Sequence, residues 1–248
     1  MSEAFVTLAQ RPDLTAQVRG LTQEVWAEFL QHDAVCNRYW RLLYSTFARF
    51  QVVLCDPADT VIAAGHTMPL VWDGTQADLP SGIDGVLERG VRDTEHRRVP
   101  TTLSALAAMV APNYQRRGLS AAILQAMRST AAANGLTALI APVRPTLKHR
   151  YPLTPIERYV LWMQPDGSPF DPWLRVHWRL GAEFLQVAPQ SMVIMGTVHD
   201  WETWTGLRFP ESGLYVVPQA LQPVLIDRES DCGRYEDPNV WMRHAIGP

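Results

Sequence analysis

Residues 101–143 read TTLSALAAMVAPNYQRRGLSAAILQAMRSTAAANGLTALIAPV, and the fold is decided there. Thr101 to Ala111 is a continuous apolar run that predicts a buried strand, and Pro112-Asn113-Tyr114 breaks it. From Gly118 to Asn134 the apolar residues Leu119, Ile123, Leu124 and Met127 share one helical stripe. Gly135 stops that helix as a C-terminal glycine does, by accepting a backbone conformation that a side chain would disfavour. Leu136 to Val143 is a second buried strand. Strand, loop, helix and strand in this order give two parallel strands joined by a right-handed crossover.

The junction between first strand and helix carries chemistry. The first N–H groups of a helix have no intrahelical acceptor, and their partial positive charge suits a phosphate. Gln115-Arg116-Arg117-Gly118-Leu119-Ser120 occupies that position. Gly118 admits a close backbone approach, Ser120 keeps the first turn uncrowded, and Arg116 and Arg117 add charge. The segment is read as a pyrophosphate-capturing loop.

Outward from this unit, residues 13–32 place Leu14, Val18, Leu21, Val25, Phe29 and Leu30 on one helical face, and a second helical stretch is expected over 37–50. Residues 51–55 and 60–64 form short apolar runs around Asp56-Pro57-Ala58-Asp59, a hairpin whose second strand extends toward Trp72. Residues 81–98 predict a helix. Beyond Arg144 comes a proline-interrupted segment to Pro169, then a helix over 171–180 closed by Gly181. Residues 184–187 and 192–195 are expected as a second antiparallel pair, with further strand-like pieces at 214–217 and 223–226. With no repeat or linker, the chain is read as one α/β domain with a mixed sheet, a core over 1–196 and an extension over 197–248 packed on it.

Bulk properties bound the function. In 248 residues, 22 Lys and Arg against 25 Asp and Glu leave a formal charge of −3. No global field draws the protein to nucleic acid or an anionic membrane, so any bound anion is held locally. Cys36, Cys55 and Cys232 are widely separated and show no metal-ligand spacing, which predicts a reducing, cytoplasmic setting and no metal. No export signal or long apolar span is read. The nine Trp cluster toward the C-terminal half, where they are expected to wall a pocket or build the core. The tail aromatics offer either a lid or a homodimer surface.

The motif Gln115-x-x-Gly118-x-Ser120 between these elements resembles the central signature of the GNAT (GCN5-related N-acetyltransferase) superfamily, with Ser where a small apolar residue is usual. The resemblance implies an acyl-coenzyme A, acetyl-CoA or another, as co-substrate. Its pyrophosphate would lie on Gln115 to Ser120 and its pantetheine arm along Met109-Val110-Ala111. Residues 173–184, WLRVHWRLGAEF, resemble the helix and Gly-Phe start of the next GNAT strand. Many members have a tyrosine acid four residues before that glycine, and His177 stands there. A histidine can donate or accept a proton near neutrality, so the resemblance makes His177 the first candidate for the general acid, with Tyr151 as an alternative. Thr146 offers a hydroxyl beside the expected cleft, while Arg144 and Arg150 can grip a substrate carboxylate.

Three functions follow from that resemblance. The first is direct acyl transfer to a small-molecule amine in a ternary complex. The pairing of Thr146 with His177 is also similar to GNAT-like domains of polyketide chain initiation, which decarboxylate malonyl-CoA and load a phosphopantetheinyl carrier protein. The third is an acyl-CoA-binding module without turnover.

Overall fold

The computed structural model describes residues 5–246; the first four residues of the expected core and the last two of the expected extension lie outside them. In chain order the elements begin with β1 (Val6–Thr7), α1 (Thr15–Val25), α2 (Ala34–Tyr39), β2 (Val52–Cys55), β3 (Val61–Leu70), α3 (Ile83–Glu95), β4 (Thr102–Val110), α4 (Leu119–Ala133) and β5 (Ala138–Val143). They continue with α5 (Ile156–Tyr159), α6 (Pro172–Arg179), β6 (Glu183–Gly196), α7 (Val198–Thr205), β7 (Gly213–Tyr215), β8 (Val224–Asp227) and β9 (Cys232–Ala245). All nine described strands join one mixed sheet. Strands β1 to β4 are antiparallel neighbours, β4 and β5 run parallel, and β5 pairs antiparallel with β9.

The sheet is covered on both faces. Alternation on β3 sends Ala64 into a cluster with Leu14 just before α1, Val18 and Leu21 of α1 and Met109 of β4. The opposite face of β3 meets α4. A Cβ on Gly65 would lie 2.5 Å from Met127 Cε and 2.8 Å from Ile123 Cγ2, so the missing side chain is what lets the helix sit this close.

Three expectations change on the structure. The helix read over 13–32 ends at Val25, because Trp26 turns extended (φ −85°, ψ 141°) and its ring packs edge-on against Trp40 at 5.1 Å. The stretch read as a helix over 37–50 breaks into α2 and short 3-10 turns; Asp33 caps α2 by accepting the Cys36 N–H at 2.7 Å. The pair expected from 184–187 and 192–195 is one strand, β6, whose register slips between Ala188 and Met192 so that three residues face one on β9. Pro189 and Pro238 both fall in that bulge, where neither is required to donate a ladder hydrogen bond.

The partner of β6 is β9, a strand absent from the sequence reading. It runs beside β6 from Gly233 to Arg243 and uses its other edge for β8 and β5. Residues after 196, read as an extension, therefore supply an interior strand of the sheet.

Candidate active site

Strands β4 and β5 pair at only three positions, Thr102 with Ala138 through Ser104 with Ile140. Opposite, β3 skips a residue of β4: His66 faces Ala107 while Thr67 faces Ala105, leaving Leu106 unmatched. The bulge bends β4 away, and the two parallel strands splay toward their C-terminal ends. Between them lies a cleft of about 490 Å³, lined by Ala105 to Val110 on one side and Ala141 to Val143 on the other. The β5-facing edge of β4 is thus left with open backbone donors and acceptors.

Beyond β4 the chain makes a compact loop into α4. Arg116 (φ 63°) and Gly118 (φ 78°) are both left-handed, which turns successive N–H groups to one side. The N–H groups of Arg116 to Ser120 have no hydrogen-bond acceptor among the described residues, and Gly118 opens α4 without a side-chain cap. Gln115, Arg116, Leu119 and Ser120 line the cleft, and so do Met109 and Val110. Arg117 instead lies over the Tyr114 ring at 4.8 Å and donates to the Asn113 carbonyl, so its charge reaches the loop from outside. Tyr114 donates its hydroxyl to Asp56 in the β2–β3 turn, which braces the loop from below.

Across the cleft, one carboxylate organises the β5 side. Asp171 caps α6 by accepting the N–H groups of Trp173 and Leu174. Its second oxygen accepts from the Leu147 N–H at 2.8 Å and the Tyr159 hydroxyl at 2.9 Å. Burial and the Asp171 charge hold the Tyr159 hydroxyl protonated, its pKa pushed far up. Asp171 therefore fixes the loop carrying Thr146 to the helix carrying His177, and both residues line the cleft. Arg144 lines it too, donating Nε to both oxygens of buried Asp237 and Nη2 to the Gln219 carbonyl. Asp237 is held in turn by Tyr235 and Asn239.

His177 is 1% exposed. Its Nδ1 lies 3.0 Å from Nε2 of His244 on β9, and its own Nε2 has no protein partner. Burial first, and then the neighbouring His244, push its pKa down to about 3. At neutral pH the ring is uncharged. A neutral imidazole offers one N–H and one lone pair, so His177 is not the imidazolium acid that an ordinary histidine pKa suggests, and its Nε2 is itself buried.

No protein-family model matches the chain. The arginine N-acetyltransferase avaD of Aspergillus versicolor is 31% identical over 271 residues, covering 97% of this chain and 93% of its own. Among solved structures, the loading GNATL domain of CurA from Lyngbya majuscula aligns with a TM-score of 0.63 at 15% identity, over 99% of this chain and 98% of that one. The GphF GNAT-like decarboxylase, in complex with isobutyryl-CoA, aligns with a TM-score of 0.58 at 15% identity, over 98% of this chain and 100% of that one. The chain belongs to the GNAT superfamily.

This GNAT protein is an acyltransferase with an acyl-CoA as co-substrate. Its cleft fits that ligand: unpaired loop amides for a pyrophosphate, an open strand edge for the amide-bearing pantetheine arm, and a splay between strands for the thioester. Of the other residues singled out in the sequence, Ala111 and Gly118 flank the cleft without lining it, and Tyr151 and Arg150 lie off it. Tyr151 belongs to an aromatic cluster with Tyr159, Trp162 and Phe170. In the loop they sit in, His149 and Arg150 are exposed. Lys148 is wholly buried and donates to the carbonyls of Tyr151 and Leu221, tying the loop to the C-terminal segment.

Sequence reasoning missed Trp26 and Gln219 of the cleft wall, and His244 and Asp237 behind it; Trp173, on the wall, is one of the tryptophans expected there. Trp26 was hidden inside a helical pattern that the structure breaks. His244 and Asp237 lie on β9, whose sequence gave no strand signal. No helix among the described residues is long and apolar enough to cross a membrane.

Proposed function

We propose that this GNAT enzyme moves an acetyl group from acetyl-CoA directly to the amino group of a small molecule that also bears a carboxylate, an amino acid or a derivative of one. The composition of the cleft carries this reading. Among its lining residues are Arg116, Arg144 and His177 but no carboxylate and no cysteine. Without a thiol on the wall, transfer in a ternary complex is favoured over a thioester on the enzyme, and the protein's work is chiefly positioning. Arg144 keeps Nη1 free of protein partners among the described residues, on a guanidinium already held by Asp237. A carboxylate is the natural occupant of such a fixed fork. The relative that acts on arginine supports an amino-acid acceptor.

In this scheme the loop 115–120 binds the pyrophosphate, the open β4 edge orients the thioester arm, and Arg144 orients the acceptor. His177, neutral at pH 7 and with its pKa pushed down to about 3, lines the cleft as a hydrogen-bonding group, and the proton that the attacking nitrogen loses passes to water. Trp26 and Trp173 narrow the space around the reacting atoms. A second reading draws on Thr146 and His177 facing the same cleft: the two can hydrogen-bond an enolate formed by loss of carbon dioxide from malonyl-CoA.

Mass spectrometry of the protein with acetyl-CoA or malonyl-CoA and a panel of amino acids separates the two. Acetylated amino acid with malonyl-CoA left intact is the expected result; conversion of malonyl-CoA to acetyl-CoA with no acetylated amine would replace it by the second reading. Arg144→Ala should raise KM for the amine about tenfold or more with KM for acetyl-CoA unchanged, since a charge-assisted fork contributes roughly 1.5–3 kcal/mol.

A further inference from the structure

We infer that the acceptor is an amino acid, or a derivative of one, whose side chain is apolar, and that a wall formed by Val25, Trp26, Leu30, Ile83 and Met192 selects it. The inference rests on the reading of the site as one that transfers an acetyl group to a carboxylate-bearing amine.

These residues come to the cleft from three pieces of chain that are remote in sequence. Val25 ends α1 with Trp26 and Leu30 just beyond it, Ile83 opens α3, and Met192 lies on β6. Two hydrogen bonds set Ile83 beside Met192: Ser191 Oγ accepts the Ile83 N–H at 2.9 Å, and Asp84 accepts the Val193 N–H at 3.1 Å. The approach leaves no slack, since a Cβ on Gly82 would run into the Ser191 backbone. Leu30, Ile83 and Met192 are buried apart from what they offer the cleft. None of the wall belongs to the β4 edge or to the loop 115–120, where the coenzyme lies. With the acceptor's carboxylate on Arg144 and its amine at the thioester, the side chain is the part left to meet the wall.

What the wall lacks sets the class of side chain. Among the described residues that line the cleft there is no Asp or Glu. Asp33 and Asp84 stand behind the wall: both are buried, neither lines the cleft, and their oxygens lie within 4.8 Å of each other. A Lys or Arg head laid against the wall would leave water without a counter-ion. An aliphatic or aromatic side chain is stabilised there by burying its surface, and the flexible Met192 can adapt to its outline.

The test is competition: the full chain with acetyl-CoA and an equimolar mixture of leucine, phenylalanine, lysine and arginine, the products followed by mass spectrometry. Acetylated leucine and phenylalanine should form about tenfold faster or more than acetylated lysine and arginine. Faster acetylation of either basic amino acid overturns the inference. So does a rate indifferent to the acceptor side chain with isobutyryl-CoA consumed faster than acetyl-CoA, which would assign the wall to the acyl group. A variant probes the missing charge. Val25 is 39% exposed, so Val25→Glu can fold while placing a carboxylate at the wall. It should raise the ratio of lysine to leucine acetylation about tenfold, and neutral Val25→Gln should not; equal ratios in the two variants would overturn the charge argument. Failure of the underlying reading looks different, because then none of the four amino acids is acetylated, and the inference falls with it.

Discussion

At the residue scale, Gly118 shows how a local backbone state becomes affinity. Its φ of 78° is one that side chains disfavour, yet a Cβ built there meets nothing within 4 Å. The fold therefore does not need glycine for space. It needs it for conformation, which costs roughly 1–2 kcal/mol for another residue in the left-handed region, and for the approach of a ligand. Gly118→Val should accordingly lower the melting temperature by only a few degrees while raising the Kd for coenzyme A at least tenfold, measured by calorimetry. Unchanged affinity would remove the loop from the coenzyme site. Arg117, by contrast, stacks on Tyr114 outside the cleft, so Arg117→Ala should weaken coenzyme binding much less than Gly118→Val. Sequence alone put both in one motif. What separated them was the direction of a side chain, which no spacing rule encodes.

At the scale of elements, the site depends on two pieces of chain that are remote in sequence meeting at Asp171. The loop after β5 brings Thr146, α6 brings His177, and the carboxylate that caps α6 also holds the Leu147 N–H. Asp171→Ala removes a cap worth about 1 kcal/mol and leaves a buried N–H unpaired at about 1–3 kcal/mol. Denaturant melts should show a loss of that order, and kcat should fall more than KM for acetyl-CoA, because the reacting side and not the loop 115–120 is slackened. Equal catalysis in the folded variant would mean that Thr146 and His177 are set by other contacts. The strand–loop–helix–strand unit of 101–143 was legible because each element there has one period and a clear stop. β9 was not. Its buried positions include Asp237, Asn239 and His244, and Pro238 interrupts it, so the pattern that usually marks a strand is inverted by residues whose polar partners, Arg144, Tyr235, Ser191 and His177, lie mostly elsewhere in the chain. The functional half of the cleft was illegible for the same reason: its polar partners lie behind the wall, on a strand that hydrophobicity does not reveal.

At the scale of the whole molecule, buried titratable groups tie stability to pH in two opposed directions. His66, His177 and His244 are neutral in the fold, with pKa values pushed by burial to about 3, about 3 and about 4. Unfolded, they take up protons near pH 6.5. Below that pH the unfolded chain binds protons the native state does not, so these residues make stability fall as pH falls from 6.5 toward 4. Asp33 and Asp84 act the other way. Their carboxylate oxygens approach within 4.8 Å, one oxygen on each has no other partner, and burial together with the facing negative charge pushes Asp84 up to about 8 and Asp33 upward. A single proton shared between the two oxygens satisfies both. The native state keeps that proton through neutrality, whereas the unfolded chain has lost it near pH 4. Stability therefore falls again between about pH 6.5 and 8, by up to ~1.4 kcal/mol per pH unit for one proton. Asp33 opens α2 and Asp84 opens α3, where it also accepts the Val193 N–H of β6. Leu30, Ile83 and Met192 beside them line the cleft, so the alkaline loss should begin at the acceptor wall. Urea melts across pH should peak close to 6.5, and Asp84→Asn, which supplies its own hydrogen to Asp33, should flatten the limb above the peak and steepen the acid limb, which the pair opposes from about pH 4 upward. An unchanged alkaline limb in that variant would show that the pair carries no shared proton.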